Sequence, residues 1–383
     1  MNRGDAAVAA GYLSYFGAVG VIQPYLPVHL AALGYSAGAI GVLLGLWNAA
    51  RVIGPLAVAV RADAHADRLR VLRLLGLASL ASAAVVATAR LPLAVGGALV
   101  LLSLSFHGLM PVYDAHAIER LGSRAHRYGR LRLWGSIGFV LTAGATGFLV
   151  SARGPGAIRY ALVALVALTA LVLWTVPRAA AARGPAMGRA EFVRALRDRR
   201  LVTFLAVCFL HLAGFGAYYG FYSLYLLGAG YGSGTVGLLW GTGVLAEIAL
   251  FVAGPRILAR RPLPRLLEVS LAATVVRWLL VAAFPGVLGV QVLAQLLHLA
   301  SFGLFHSVTV LLGPALLPAG ATVRAQALVS GIGWGAGGAA GSLLAGALWE
   351  RLGPQPVFLG AAALAGAAWL LARRSAGDWP ARG

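Results

Sequence analysis

The chain has 383 residues, of which 60% are hydrophobic and only 11% are charged, and its mean hydropathy is +0.85. This composition excludes an ordinary soluble domain and predicts an integral membrane protein. The formal net charge is +20, but the basic residues are spread over short loops. Nucleic-acid binding would need them on one folded face, so we expect no nucleic-acid partner.

Twelve apolar runs are long enough to cross a hydrocarbon core of roughly 30 Å, which takes about 20 residues of helix. They predict an all-α membrane protein with twelve transmembrane helices. The first six runs are residues 6–33, 39–60, 71–89, 92–118, 133–151 and 158–176. The second six are residues 201–227, 235–258, 266–284, 287–312, 326–348 and 356–371.

The arginines concentrate in alternate loops, and the chain contains no lysine. If the termini are cytoplasmic, the outer segments hold only Arg90, Arg153, Arg159 and Arg351. This asymmetry follows the positive-inside rule and predicts that both termini face the cytoplasm. We therefore expect a protein embedded in the lipid bilayer of a bacterial cytoplasmic (inner) membrane.

The two sets of helices repeat each other. "GYSAGAIGVLLG" at residues 34–45 and "GYGSGTVGLLWG" at residues 230–241 have their glycines at a constant offset of 196. The repeat predicts an N-terminal six-helix half at residues 1–177, a basic cytoplasmic linker at 178–200 and a C-terminal six-helix half at 201–383. Duplicated halves of this kind are typical of secondary transporters.

Four segments carry a resemblance to a known family: "YLPVHLAALGYSAGAIG", "YGRLRLWGSIGF", "LLWGTGVLAEIALF" and "LLHLASFGLFHS". They resemble the phenylpropionate permease branch of the major facilitator superfamily, which is related to the lactose permease and other proton symporters. The resemblance implies two six-helix halves with pseudo-two-fold symmetry, a substrate site near the membrane midplane and alternating access. It further implies that the chain moves a small solute with protons. We also expect a monomer that needs no metal or other cofactor.

Glu247 is the one charged residue in "GTGVLAEIALFVAG", residues 241–254. An acidic residue in mid-membrane costs about 2.5–3.5 kcal/mol on insertion scales, so an accidental placement is disfavoured. We interpret Glu247 as a candidate carrier of the coupling proton, with a structural carboxylate held by an arginine as the alternative. Arg51 stands at the repeat-related position, and we expect it to bind substrate or to pair with Glu247. Its alternatives are a partner in its own half or an interfacial position.

Arg277 is central in the ninth run and must find a partner or a polar cavity, because a guanidinium does not deprotonate. The resemblance aligns it with an arginine beside the proton-binding carboxylate of the lactose permease. His298 matches the family histidine of the tenth helix and is a candidate for proton coupling. His306, two turns later, is a weaker candidate for substrate binding. Ser301 replaces the second carboxylate of the lactose permease.

Asp114 and Arg132 lie on either side of one loop and resemble the acid and arginine that hold sugar in the lactose permease. Asp114 is thus a further candidate for proton coupling and Arg132 for substrate binding, and a structural salt bridge between the two is the alternative. Trp47, Asn48, Tyr218 and Tyr222 are candidates for lining the substrate site, or else for packing.

Two loop acids have a separate interpretation. Asp63 and Asp67 in "RADAHADRLR" resemble a superfamily loop motif that latches the cytoplasmic side, although the usual glycines are missing.

The sequence therefore predicts a proton-coupled symporter of a small organic solute, with an aromatic acid as the favoured substrate. If Asp114 and Arg132 neutralise each other, Arg51 and Arg277 leave one surplus positive charge over Glu247, which suits an organic anion. A sugar or nucleoside symporter and a proton-driven drug exporter remain open. A membrane enzyme is disfavoured because neither an HExxH nor a GxSxG motif occurs. A fixed channel is disfavoured by the duplicated halves.

Overall fold

The computed structural model describes residues 3–64, 68–121, 128–177, 197–317 and 322–381, with the side chains of 55–64, 68, 251–257, 259 and 322–324 excepted. Within these ranges the chain is helical and forms no strand. Most of the predicted linker and Asp67 lie outside the described residues, as does the side chain of Asp63.

The first six helices follow the hydropathy pattern closely. They are α1 Arg3–Ala32, α2 Ala37–Ala64, α3 Arg68–Thr88, α4 Pro92–Leu121, α5 Tyr128–Arg153 and α6 Ala157–Thr175. Each is long and apolar enough to cross a membrane.

The second six helices include two with internal π-helical stretches. The regular ones are α7 Arg199–Gly228, α8 Ser233–Arg260, α9 Leu263–Ala283 and α12 Pro354–Ser375. In α10 a π-helical stretch, Leu299–Leu304, separates Leu288–Leu296 from Phe305–Ala315. In α11 a π-helical stretch, Val329–Gly337, lies between Thr322–Leu328 and Gly338–Leu352. Across the described residues, twelve helices can span a membrane, which confirms the predicted fold class.

The sequence repeat is visible in identical helix ends. Gly34 after α1 and Gly230 after α7 adopt positive φ angles of 89° and 93°. In both turns the next residue, Tyr35 or Tyr231, donates its N–H to the carbonyl of the residue five positions earlier. Glycine adopts this left-handed geometry without a Cβ penalty, so the repeated "GY" specifies the same cap twice.

The described helices form two compact units. The first contains α1 to α6 together with residues 226–241. Its core is built by α1 against α5 and α6 and by α4 against α2 and α3. Small residues permit the close approach of α1 and α5: a Cβ on Gly20 would lie 2.7 Å from the carbonyl oxygen of Phe139, and one on Gly138 would meet the backbone of Leu13. Tyr25 ties the added segment to α5, since its hydroxyl donates to the carbonyls of both Ala143 and Ser233.

The second unit contains residues 199–225 and the helices from residue 242 onward. Asp198 caps the start of α7, because its Oδ1 accepts the N–H of Arg200 at 2.8 Å. The hydrogen bond from the Arg200 guanidinium, and after it this backbone bond, lower the pKa of Asp198 below its ordinary value. A glycine stripe on α11 faces α7, where a Cβ on Gly337 would lie 2.6 Å from the carbonyl oxygen of Phe209.

Candidate functional site

The centre of the second unit is a buried arginine on α9. Arg277 is 0% exposed, although arginine is rarely buried without a partner. Its NH1 donates to Nδ1 of His298 at 2.8 Å and to Oγ of Ser301 at 3.2 Å. Its NH2 donates to Oε1 of Gln295 at 3.2 Å. All three acceptors lie on α10, so the guanidinium holds α9 against that helix.

The bond from Arg277 decides the state of His298. A guanidinium only donates, so Nδ1 must be an unprotonated acceptor, and the ring is neutral with its proton on Nε2. That Nε2 faces Oε2 of Glu247 on α8 at a distance of 3.7 Å. The distance exceeds hydrogen-bond range, so the two groups are close without a formed bond. The structure thus brings together the predicted residues Glu247, His298 and Arg277.

A polar stripe on α10 was missed by the sequence interpretation. Gln291, Gln295 and His298 follow at spacings of four and three, which places them on one helix face. The predicted tyrosines of α7 bind this stripe: Tyr218 donates to Gln295 at 3.0 Å, and Tyr222 donates to Gln291 at 3.1 Å. Both tyrosines are buried, and the spacing of the glutamines was the signal that could have found their partners.

Aromatic rings surround the guanidinium. The Cζ of Arg277 lies 4.5 Å from the ring centroid of Tyr218 and 5.7 Å from that of Phe215, within cation–π range. These rings stabilise the buried charge, but they carry no formal negative charge. Within the part of the chain that the structure describes, Arg277 makes no ion pair.

Two donors of the cluster are buried without an acceptor among the described atoms. They are Nε of Arg277 and Nε2 of Gln295, and both residues are 0% exposed. A buried donor left unpaired costs about 1–3 kcal/mol. Because these groups only donate, the arrangement can accommodate an acceptor-rich group such as a carboxylate.

The first unit holds a second carboxylate in a different setting. Oδ1 of Asp114 on α4 accepts hydrogen bonds from the hydroxyls of Tyr12 at 2.6 Å and Tyr128 at 2.9 Å. Arg132 on α5 instead stacks over Phe16, with its Cζ 3.7 Å from the ring centroid. The predicted alternative of a direct Asp114–Arg132 salt bridge is wrong for the described residues: the two tyrosine hydroxyls donate to Oδ1 of Asp114, and the guanidinium of Arg132 stacks on Phe16.

Among the predicted α2 residues, Asn48 bonds to its own helix and Trp47 contacts α4. Nδ2 of Asn48 donates to the carbonyl of Leu44 one turn earlier, and Trp47 is buried with its ring 5.0 Å from that of His107. Oγ of Ser103 donates to the carbonyl of Trp47 at 2.6 Å. Arg51 is half-buried on the same helix. Its role and its pairing with Glu247 stay predictions.

His306 lies outside the guanidinium cluster. It is exposed on α10, and its ring is parallel to that of Phe302 at a centroid distance of 6.3 Å. Among the described residues, no group of three or more histidine, cysteine, aspartate or glutamate side chains could hold a metal ion.

Comparison with known proteins identifies the family, since residues 6–360 match the model of the MFS_1 like family. The chain belongs to that family. It is 31% identical over 354 residues to the "Probable 3-phenylpropionic acid transporter" of Escherichia coli (strain K12), covering 90% of this chain and 91% of that one. It is 29% identical over 261 residues to the "Maltose permease" of Geobacillus stearothermophilus, covering 68% and 66%.

The fold also matches solved transporters. The nucleoside transporter NupG superposes with a TM-score of 0.83 at 18% identity, covering 98% of each chain. The chain is therefore a membrane-embedded transporter of the major facilitator type and not an enzyme, and the expected resemblance is confirmed.

Proposed function

We propose that this transporter is a proton-coupled symporter of small organic acids, with aromatic acids favoured, that works by alternating access. It acts as a monomer in the bacterial cytoplasmic membrane, with both termini in the cytoplasm. The observation that carries the proposal is the buried Arg277, whose polar partners His298, Ser301 and Gln295 are all neutral. A buried cation with neutral partners has positive charge available for an anionic ligand.

Carboxylate is the anion that fits this donor set best. Arginine binds a carboxylate through two parallel N–H···O bonds, which gives both affinity and orientation. The Nε of Arg277 and the Nε2 of Gln295 are the two donors without an acceptor. A bound carboxylate that draws on them also offsets the guanidinium charge, which neutral hydroxyl groups do not.

Proton coupling follows from the neighbouring carboxyl group. Glu247 lies 3.7 Å from the neutral imidazole that Arg277 holds. The positive charge of Arg277 attracts a negative charge on Glu247, and an anion bound to Arg277 cancels that attraction. Substrate binding then favours proton uptake by Glu247, and by linkage a proton on Glu247 favours substrate binding. This reciprocity is what a symporter of acid and proton requires.

The relatives support the choice of substrate and also a second candidate. One of them is named for 3-phenylpropionic acid, and this chain covers nine tenths of that relative. Another is named for maltose, and the neutral Tyr218–Gln295 and Tyr222–Gln291 pairs could also bind hydroxyl groups of a sugar. Drug export on the same fold is the third possibility, because fold sets neither substrate nor direction.

The test is uptake by purified protein in liposomes under an imposed pH gradient, acidic outside. Labelled 3-phenylpropionate, maltose and a nucleoside are compared, with a protonophore as the control that collapses the gradient. We expect accumulation of the aromatic acid alone, lost with the protonophore. Accumulation of maltose or the nucleoside alone would show that the chain is a sugar or nucleoside symporter, and the proposed acid substrate would be wrong. Expulsion of solute from preloaded vesicles would assign the chain to export.

A further inference from the structure

The two π-helical stretches of the second unit meet through an aromatic contact. Phe302 lies in the π-helical stretch of α10 and Trp334 in that of α11, and their rings are edge to face at a centroid distance of 5.6 Å. Tyr219 of α7 adds a third ring, 5.9 Å from Trp334. We call Tyr219, Phe302 and Trp334 the aryl wall. Internal π-helical turns are rare and occur frequently at functional sites.

The aryl wall is continuous with the guanidinium cluster. Phe215 lies between them, with its ring 5.7 Å from the Cζ of Arg277 and 5.8 Å from the rings of both Tyr219 and Phe302. The ring of His298 is parallel to that of Phe302, with an interplanar angle of 2° and a centroid distance of 4.8 Å. A ligand bound at Arg277 is therefore separated from the aryl wall only by the ring of Phe215.

Phe302, the α10 member of the aryl wall, lies on a different face of the helix from the exposed apolar side chains. Phe302 continues the stripe of Gln291, Gln295 and His298 at a spacing of four, while the exposed apolar side chains Leu293 and Leu296 lie off that stripe. Phe215 is 0% exposed, whereas the three wall residues are each partly exposed. The wall thus presents ring surface on the side of the helix that carries the polar cluster.

We propose that the aryl wall is a specificity subsite that binds the aromatic ring of the substrate and selects it over a saturated ring of equal size. The inference rests on the proposed function, because Arg277 would hold the carboxylate of the same ligand. Offset and edge-to-face ring pairs at 4.5–7 Å are favourable beyond their buried area, and a cyclohexane ring has no π-system to form them. The contacts select a planar ring joined to its carboxylate by a short spacer.

The experiment varies the ring and the charge independently. Dissociation constants are measured by calorimetry on protein in lipid nanodiscs, with empty nanodiscs subtracted. The four ligands are 3-phenylpropionate, 3-cyclohexylpropionate and the two corresponding amides. Wild-type protein should prefer the phenyl ligand of each pair by about fivefold, the size expected of one or two ring contacts.

The variants assign that preference to residues. Phe302→Leu and Trp334→Leu should bring the phenyl-to-cyclohexyl ratio to about one and leave the acid-to-amide ratio unchanged. Arg277→Lys, which keeps the charge but lacks the planar fork, should lower the acid-to-amide ratio and leave the phenyl-to-cyclohexyl ratio unchanged. Phe148→Leu, at an exposed phenylalanine of the first unit, is the matched control and should change neither ratio. If the leucine variants do not fold, Phe302→Tyr and Trp334→Phe should fold and keep the preference.

Several outcomes would overturn the inference. One is equal binding of the phenyl and cyclohexyl ligands by wild-type protein. Another is a phenyl preference that survives in both leucine variants or is lost in both ring-conserving variants. The last is a loss of the phenyl preference in Phe148→Leu as large as in the leucine variants of the wall. If no acid is preferred over its amide while the ring ratio responds as expected, the proposed function fails and the aryl wall stands. If wild type binds none of the four ligands, both proposals fail.

Discussion

The guanidinium of Arg277 and the imidazole of His298 share a hydrogen bond that leaves the imidazole neutral, with its remaining proton directed at Glu247. A carboxyl, a neutral ring and a cation therefore follow one another across three helices of one unit. The ring of His298 contacts Arg277 and approaches Glu247; in the function proposed above, Glu247 would bind the proton and Arg277 the anion.

Arg277→Lys tests the anion site. Lysine keeps the charge but lacks the planar fork that binds His298 and Gln295 and that, in the proposed function, also binds a carboxylate. We expect at least about tenfold weaker binding of 3-phenylpropionate, as for loss of one charge-assisted hydrogen bond. Calorimetry on the folded variant measures this, with Arg374→Lys at an exposed position near the end of α12 as the control. Equal affinity in the two variants would show that Arg277 does not bind the substrate.

Hydropathy and the repeat predicted much of the fold. Apolar runs show where a helix can cross a membrane, and the glycines repeated at an offset of 196 indicated a duplication, which agrees with the matching turns that the structure forms at Gly34 and Gly230. Glu247, Arg277 and His298 stood out because polar and charged groups are rare in mid-membrane. The π-helical stretches were missed, since their composition does not differ from that of an ordinary apolar helix.

The partners of the site residues were harder to predict. Gln291 and Gln295 escaped notice because neutral amides do not stand out as charges do. The predicted partner of Asp114, Arg132, was wrong for another reason, because it was favoured by its proximity in the sequence. Tyr12 lies 102 residues from Asp114 and reaches it only because α1 and α4 fold together. Long-range pairing depends on packing that no local pattern reports.

The topology can be tested with single cysteines. Cys208 is buried on α7 and can be replaced by serine to give a cysteine-free background. Cysteines introduced at Ser233 and Ser375 should react with a membrane-impermeant maleimide from opposite sides, Ser233→Cys from outside and Ser375→Cys from inside. Intact spheroplasts and inverted vesicles report the two sides. Labelling of both variants in the same preparation would refute cytoplasmic termini with twelve spans.

Gly341→Ala should destabilise the second unit. A Cβ at this position would meet the carbonyl oxygen of Ala213 on α7, a backbone atom that cannot rotate away. Overpacking of this kind costs about 1–3 kcal/mol. Thermal unfolding in detergent should show a lower midpoint for Gly341→Ala. Gly366→Ala on α12 is the matched control, since nothing lies within 4 Å of its Cβ, and it should be neutral or stabilising. Equal midpoints for the two variants would contradict the close packing of α7 and α11.

Tyr12→Phe tests how Asp114 is held. The variant removes the 2.6 Å hydrogen bond to the carboxylate and leaves only Tyr128 as a donor. Because hydrogen bonds to charged groups contribute about 1.5–3 kcal/mol, we expect a lower unfolding midpoint. Tyr160→Phe, at an exposed tyrosine bonded to Arg159, should have little effect. If Tyr12→Phe melts like wild type while Asp114→Asn does not, the hydroxyl does not stabilise the carboxylate.

Glu247→Gln separates substrate exchange from proton coupling. If Glu247 carries the coupling proton, glutamine resembles its protonated form, and the variant no longer has to release a proton before the empty carrier reorients. Counterflow, which uses only the loaded carrier, should survive at close to the wild-type rate, whereas accumulation driven by a pH gradient should fail. Asp114→Asn, measured alongside, should retain gradient-driven accumulation if Glu247 alone carries the proton. The assay is uptake of labelled 3-phenylpropionate by the proteoliposomes in both modes. Should Glu247→Gln still accumulate substrate with wild-type proton stoichiometry, Glu247 is a structural carboxylate and the coupling site must be sought at Asp114 or His298.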